Sequence, residues 1–283
     1  CFYDSPSAQG PLDKMDQKSA MTDSHTFKHE AMKTTFTLRL IHAQAKLACD
    51  AANQAFALID EMENVLSRYI SGSDVSQINR MQSGQTLFIS ETCYECIRIA
   101  LKIYIASDGL FDITLGRQIE HQKTSMTGVV PSIEGQLMVD PDRPAIHCIK
   151  AGREIDLGGI GKGYALDCIV PLLRDLGIKS GLVAAGASTQ LAFGENSWDI
   201  ELTGSTSMPV VELKNQALSV SGIEIQGSHI VSPRQTEFTQ YPHARVRVVH
   251  EEAACADAWS TACLLMTESE LEAVKDRITI HCS

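Results

Sequence analysis

The sequence predicts an α+β fold on two grounds. Strand-like and helix-like stretches fall in groups along the chain instead of alternating one by one, which argues against a strictly parallel βαβ sheet. Short strand patterns crowd between positions 181 and 250, whereas longer helical patterns lie nearer the two ends. No internal repeat or linker divides the chain, and 283 residues with a hydrophobic fraction of 44% suffice for a large core.

The elements are expected in this order. Residues 1–26 are polar and aperiodic and read as a flexible tether ahead of one domain over 27–283. Cys1 suits a bacterial lipoprotein cut just before a lipidated cysteine, which predicts a periplasmic or extracytoplasmic protein with a membrane tether; an arbitrary first residue is the alternative reading. Phe27–Ile41 alternates as a strand region. Ala48, Ala51, Ala52, Ala55, Phe56, Ile59, Met62 and Leu66 form one apolar stripe, so a helix runs from Ala43 to about Tyr69. A polar segment follows it. Leu87–Ile89 is a short strand, Glu91–Ser107 a helix closed by Asp108-Gly109, Phe111–Gly116 is extended and 117–128 a loop. After short strands up to Ile155 comes a glycine-rich turn and a helix that stops at Gly177. Strands are expected at Leu182–Ala184, Trp198–Leu202, Val210–Leu213, Ala217–Val220, His229–Val231 and Ala244–Val249. Helices at Ala253–Met266 and Glu268–Arg277 and a strand at Thr279–Cys282 close the chain.

Charge and cysteine content narrow the function. The net charge of −11 argues against a nucleic-acid surface, which needs clustered Lys and Arg. No apolar run reaches the length of a membrane-spanning helix. Of nine cysteines, Cys93 and Cys96 form a CxxC inside an apolar helical stretch, with no second pair to complete a zinc site. Cys49, Cys168, Cys255 and Cys263 read as small buried hydrophobes.

The most informative segment is DLGGIGKGYALD, Asp156 to Asp167. Glycines let backbone approach a ligand, a helix N-terminus favours anions, and Lys162 adds a full charge, so the turn is a candidate phosphate site. It is not a Walker A loop, because Gly163 stands where Ser or Thr would hold magnesium, and it does not complete GxGxxG. A turn that merely packs a helix close to a strand fits the spacing equally.

A second constellation lies in the helix EEAACADAWSTACLLM. Asp257 and Thr261 are four apart and share a face, offering two hard oxygen donors that suit Mg²⁺. The alternative is that Thr261 bonds back to its own backbone. Asp257 is expected as a carboxylate at the surface of a cleft. His229 lies within a strand pattern, and Asp112 interrupts the apolar run Phe111–Thr114.

Taken together, these pieces resemble the FAD:protein FMN transferase (ApbE) family. Met32-Lys33-Thr34-Thr35-Phe36 is similar to its MGTTY, and Leu66-Ser67-Arg68-Tyr69 with Ser73 to Asn79 to its LSxY…SExSxxN. Gly109 to Gly116 resembles GAFDxTxG, DLGGIGKGYALD resembles DLGGIAKGYAVD, and Ser219–Gly222 resembles the TSG turn. Ser228 to Arg234 is similar to SHIIDPR, and Asp257 to Ala262 matches DAxxTA.

The resemblance implies an ApbE-like fold of mixed or antiparallel sheets with flanking helices. It implies a flavin transferase that uses Mg²⁺ to move FMN from FAD to a Thr or Ser hydroxyl of a partner protein, such as a respiratory redox subunit, releasing AMP. It places the metal on Asp257, Thr261 and the Gly161 carbonyl. It sets the pyrophosphate on Lys162 and the glycine amides of the bend, with Asp156, Gly158 and Gly159 among the FAD-binding residues. Met32, Tyr69, Asn79, Asp112 and Ser221 become FAD-binding residues, and Lys162 and His229 catalytic ones. His229 either assists proton removal or binds phosphate. Departures stand beside the match. Lys33 replaces the glycine of MGTTY, Ala184–Ser188 stands where the family has NLGGD, Ser232 replaces the Asp of SHIIDPR, and Arg117 replaces a proline. Two other chemistries fit the retained residues: FAD binding without transfer, and FAD pyrophosphatase activity with water as acceptor.

Overall fold

A computed structural model describes residues 23–124, 130–202, 210–222, 230–234 and 241–282. Cys1, most of the expected tether, and His229 lie outside these residues. The described part of the tether segment is not all coil: strand β1 begins at Ser24.

The expected strand region Phe27–Ile41 is a hairpin, β1 (Ser24–Ala31) and β2 (Thr34–Ile41), turning at Met32-Lys33. Both turn residues are left-handed, with φ of 50° and 59°. Next come α1 (Ala45–Leu66), the short α2 (Asp74–Ile78) inside the polar segment, β3 (Thr86–Phe88) and α3 (Glu91–Ala106). The expected loop 117–128 is helical in its first part, α4 (Gly116–Thr124), and Phe111–Gly116 forms no strand beyond a bridge from Leu115 to Glu154. There follow β4 (Gln136–Val139), β5 (Ala145–Lys150), α5 (Gly161–Asp175), β6 (Ser180–Ala185), β7 (Thr189–Phe193), β8 (Trp198–Glu201), β9 (Val210–Leu213) and β10 (Ala217–Gly222). Strand β11 (Arg245–His250), α6 (Ala253–Leu265), α7 (Glu268–Val274) and β12 (Thr279–Cys282) complete the order. Ile230 and Val231 are not in a strand, contrary to their alternation, and β7 has no counterpart among the expected strands.

The main sheet has seven strands in the order β1-β2-β6-β7-β10-β11-β12, with antiparallel neighbours throughout. Period-two alternation sends two side-chain sets to opposite faces. Phe36, Leu38, Leu40, Val183, Phe193, Val246 and Val248 enter the main core with α1, α3, α5 and α6. Leu182, Ala192, Leu218, Val220 and Val249 face the other way and pack with Trp198, Ile200 and Leu213 of the hairpin β8–β9. Phe36, Leu38 and Leu40 are fully buried; each such side chain stabilises the fold by about 1.5–3 kcal/mol.

This arrangement creates a polar seam. On β10, Ser219 and Ser221 alternate with Leu218 and Val220, so the serines face α6. Helix α6 is buried along nearly its whole length, between the sheet, α3 and α5. Its polar residues therefore meet protein partners before they meet water.

Candidate active site

Strand β5 leads through Glu154-Ile155 into the glycine bend, and the bend opens into α5. Asn79 fixes the approach: its amide accepts from Ile155 N–H at 2.6 Å and donates to the Ile155 carbonyl at 2.9 Å. Arg68 secures the next residues, donating to Glu154 at 2.7 Å, to Asp156 at 3.3 Å and to the Gly116 carbonyl at 2.6 Å.

Within the bend several amides are already engaged. Gly158 N–H donates to Asp156 Oδ1 at 2.8 Å, Gly161 N–H to the Leu157 carbonyl at 2.7 Å, and Gly163 N–H to Asp257 Oδ2 at 3.3 Å. These three amides are therefore already taken, whereas the resemblance sets the pyrophosphate on the glycine amides of the bend. Lys162 folds back, its Nζ donating to the Gly158 carbonyl at 3.0 Å and standing 3.7 Å from Asp257 Oδ2. Gly163 serves close packing: a Cβ there would lie 2.2 Å from the Ala253 carbonyl oxygen, so only glycine lets α5 touch the start of α6. The phosphate and packing readings of the bend therefore attach to different residues, Lys162 and Gly163.

Asp257 is not a surface carboxylate, as expected from sequence, but fully buried. Alanine-rich α6 is packed on all sides, and the polar seam supplies its partners. Ser219 Oγ donates to Asp257 Oδ1 at 3.2 Å and lies 3.3 Å from Ser260 Oγ, while Ser221 Oγ and Ser260 Oγ are 2.8 Å apart. Ser221 is therefore buried behind α6 and does not line the cleft below. Thr261 bonds back to the Asp257 carbonyl at 3.2 Å, as the simpler reading anticipates, yet it also lines the cleft. A Cβ on Gly159 would sit 3.2 Å from Thr261 Oγ1, so the bend and the helix meet at this hydroxyl. The carboxylate and hydroxyl, one helical turn apart, are oxygen donors of the kind a hard divalent cation takes.

In front of this junction is a cleft of about 530 Å³, the size of a small-molecule site. Met32, Tyr69, Asp112, Asp156, Gly158, Gly159, Lys162 and Thr261 all line it, whereas Asn79 does not. Asp112 is held by Thr114 N–H at 2.8 Å and Arg153 at 3.2 Å. Tyr69 is half-exposed, and Lys33 Nζ stands 3.7 Å over its ring. Gly161 lines an adjoining hollow with Lys33, Arg68 and Tyr69. Ile230 and Val231, next in sequence to His229, line the cleft.

Sequence reasoning missed Lys123, which lines the cleft, donates to Tyr69 Oη at 3.3 Å and stands 3.9 Å from Asp156. The signal was present: Leu115, Ile119 and Lys123 recur every four residues and all reach the cleft. Arg68, Ser219 and Ser260 were also unassigned. In a chain of net charge −11, Lys33, Lys123 and Lys162 line one cleft against two carboxylates, Asp112 and Asp156, a local excess of positive charge that favours an anion.

The fold thus brings a buried carboxylate and a lysine-bearing bend together beside one cleft, the arrangement of a candidate enzyme site. The ApbE family model matches residues 32–282, and the chain belongs to this family. Relatives named FAD:protein FMN transferase include one from Buchnera aphidicola, 25% identical over 255 residues, 78% of this chain and 75% of the relative. Another, from Salmonella typhimurium, is 24% identical over 298 residues, 91% and 83% of the two chains. These relatives are transferase enzymes by name. The apo crystal structure of Pseudomonas stutzeri flavinyl transferase ApbE superposes with a TM-score of 0.80 at 24% identity, covering 91% of this chain and 90% of that one. The ApbE protein of Thermotoga maritima gives 0.78 at 22%, covering 92% and 94%. The α+β fold with antiparallel sheets is thus that of the ApbE flavin transferases. Among the described residues no helix is long and apolar enough to cross a membrane.

Proposed function

We propose that this protein transfers FMN from FAD to a Thr or Ser hydroxyl of a partner protein and releases AMP, in a reaction that depends on Mg²⁺. The observation that carries the proposal is that the lysine-bearing bend and Thr261 meet at one cleft, with the buried Asp257 carboxylate 3.7 Å behind Lys162 Nζ. The relatives' shared name supports the flavin chemistry.

In this reading the acceptor oxygen attacks the phosphorus on the FMN side of the diphosphate. The bridging P–O bond breaks, AMP leaves with the bridging oxygen, and the hydroxyl proton passes to a base. Such a transfer is mostly positioning and charge neutralisation. Asp257 and Thr261, with the Gly161 carbonyl, would hold Mg²⁺. The ion supplies neutralisation of the diphosphate charge. Lys162, already pinned beside Asp257, adds a second positive charge without needing to be ordered during the reaction. Lys123 extends the positive lining towards Tyr69. His229 is the proposed proton acceptor or phosphate ligand.

Incubation of the protein with FAD, Mg²⁺ and a flavin-accepting domain tests this. The acceptor should gain the mass of FMN, less one water, at a Thr or Ser, with AMP appearing in equal amount. No covalent flavin on any acceptor would oppose the proposal. A second reading, FAD binding without transfer, is favoured by Lys33 covering Tyr69 and by Ala187 and Ser188 lining the cleft in the NLGGD region. Tight FAD binding with no AMP release would support it. AMP release without an acceptor would instead identify a pyrophosphatase.

A further inference from the structure

Outside the cleft, one group of side chains combines nitrogen, oxygen and sulfur donors. His250 ends β11, Glu252 is the residue just before α6, and Cys255 lies in the first turn of that helix. One ligand atom from each lies within 4.8 Å of the others. We propose that His250, Glu252 and Cys255 form a second metal site, for a borderline or soft divalent ion of the Zn²⁺ type.

Three features argue for a built site. Two of the donors are already in contact, Cys255 Sγ donating to Glu252 Oε2 at 2.9 Å, and the backbone N–H of Glu252 donates to His250 Nδ1 at 3.0 Å, which holds the imidazole beside them. The loop carrying them is held from a separate element, because Asp167 of α5 accepts both Ala253 N–H and Ala254 N–H at 2.8 Å. The short separation is therefore fixed by the fold. The site is also reachable: Cys255 is buried, His250 half-buried and Glu252 exposed, so the cluster opens to solvent on one side.

The donor types set the ion. Thiolate and imidazole favour zinc-like ions over magnesium, and three protein ligands leave a fourth position for water. A thiolate and a carboxylate together balance the charge of a divalent ion. On loading, the Cys255 proton leaves to solvent, and the imidazole lone pair now facing the Glu252 amide turns to the ion. Cys255 and Asp257 are two residues apart on a helix and so point in opposed directions. The two positions are separate in space and in chemistry, and this inference does not rest on the flavin reading.

The test is a Co²⁺ titration of the reduced full chain with excess Mg²⁺ present, so that an oxygen-only site is filled. One equivalent of Co²⁺ should produce a thiolate-to-cobalt charge-transfer band, which carboxylate and hydroxyl ligands cannot give. Cys255→Ser should remove the band, and His250→Ala should weaken binding by about 100-fold. Thermal melts and far-UV circular dichroism establish that both variants are folded. No charge-transfer band, or one that persists undiminished in Cys255→Ser, would overturn the proposal.

Discussion

Lys162 Nζ lies 3.7 Å from Asp257 Oδ2, although the two residues belong to different helices and are far apart in sequence. The contact joins the glycine bend to α6, and Gly163 N–H reinforces it by donating to the same carboxylate oxygen. The candidate phosphate-binding and metal-binding elements are thereby one site.

Asp257→Asn should keep the packing and remove the charge. Turnover with saturating FAD and Mg²⁺ is expected to fall by about 100-fold or more, since a metal's charge stabilisation is worth several kcal/mol. Asp257→Ala should also destabilise the protein by about 1–3 kcal/mol, because Ser219 and Gly163 lose a buried acceptor. Steady-state rates and urea melts separate the two effects. Undiminished turnover in Asp257→Asn would remove the metal assignment.

Lys33 holds the left-handed turn position where the family motif has glycine, and its ammonium covers Tyr69. A planar base stacking on that ring must displace a cation–π contact of about 0.5–2 kcal/mol. Lys33→Gly should lower KM for FAD about 2- to 30-fold, with kcat little changed. Stability should change little, because relief of the left-handed strain offsets the added freedom of the unfolded chain. A rise in KM would instead make Lys33 a phosphate ligand.

Arg68 is the clamp behind the bend, bound to Gly116, Glu154 and Asp156. Among the described residues, Arg68→Ala leaves a mostly buried Asp156 with only the more distant Lys123 as a cation. A loss of about 3 kcal/mol is expected, lowering Tm by roughly 6–10 °C. Calorimetry reads this directly, and an unchanged Tm would show that the clamp is not structural.

Asp167 gives a pH prediction. Burial pushes its carboxyl up to about 6, against the lowering effect of the Ala253 and Ala254 amides. The folded state therefore binds this proton more tightly than the unfolded state. The resulting stabilisation is complete below about pH 4 and is lost as pH rises through about 6. The stability of wild type relative to Asp167→Asn should fall across that window in denaturant melts. A difference that is flat or grows with pH would contradict the assignment.

Much of the candidate site is legible because its residues lie in short local patterns. Asp257 and Thr261 are one helical turn apart, and the bend declares itself by its glycines. What was not legible depends on tertiary packing. Nothing local shows that Asp257 is buried, because its burial comes from β10 and α5 closing over α6. Ser221 reads as a ligand in a motif, but strand alternation turns it to Ser260. Asn79 reads as a pocket residue, and its side chain instead braces Ile155. Within α4 only Ile119 is apolar, so the four-residue recurrence Leu115, Ile119 and Lys123 is a faint pattern inside an otherwise polar segment, which reads as a loop. The hairpin β1–β2 reads as one strand region because its turn contains no glycine.

The most direct test of the central claim is a crystal structure of the protein soaked with FAD and Mn²⁺, with the ion located by anomalous scattering. Manganese is expected on Asp257 and Thr261, with the FAD diphosphate between it and Lys162. Manganese absent from that pair, or a diphosphate bound away from Lys162, would contradict the claim.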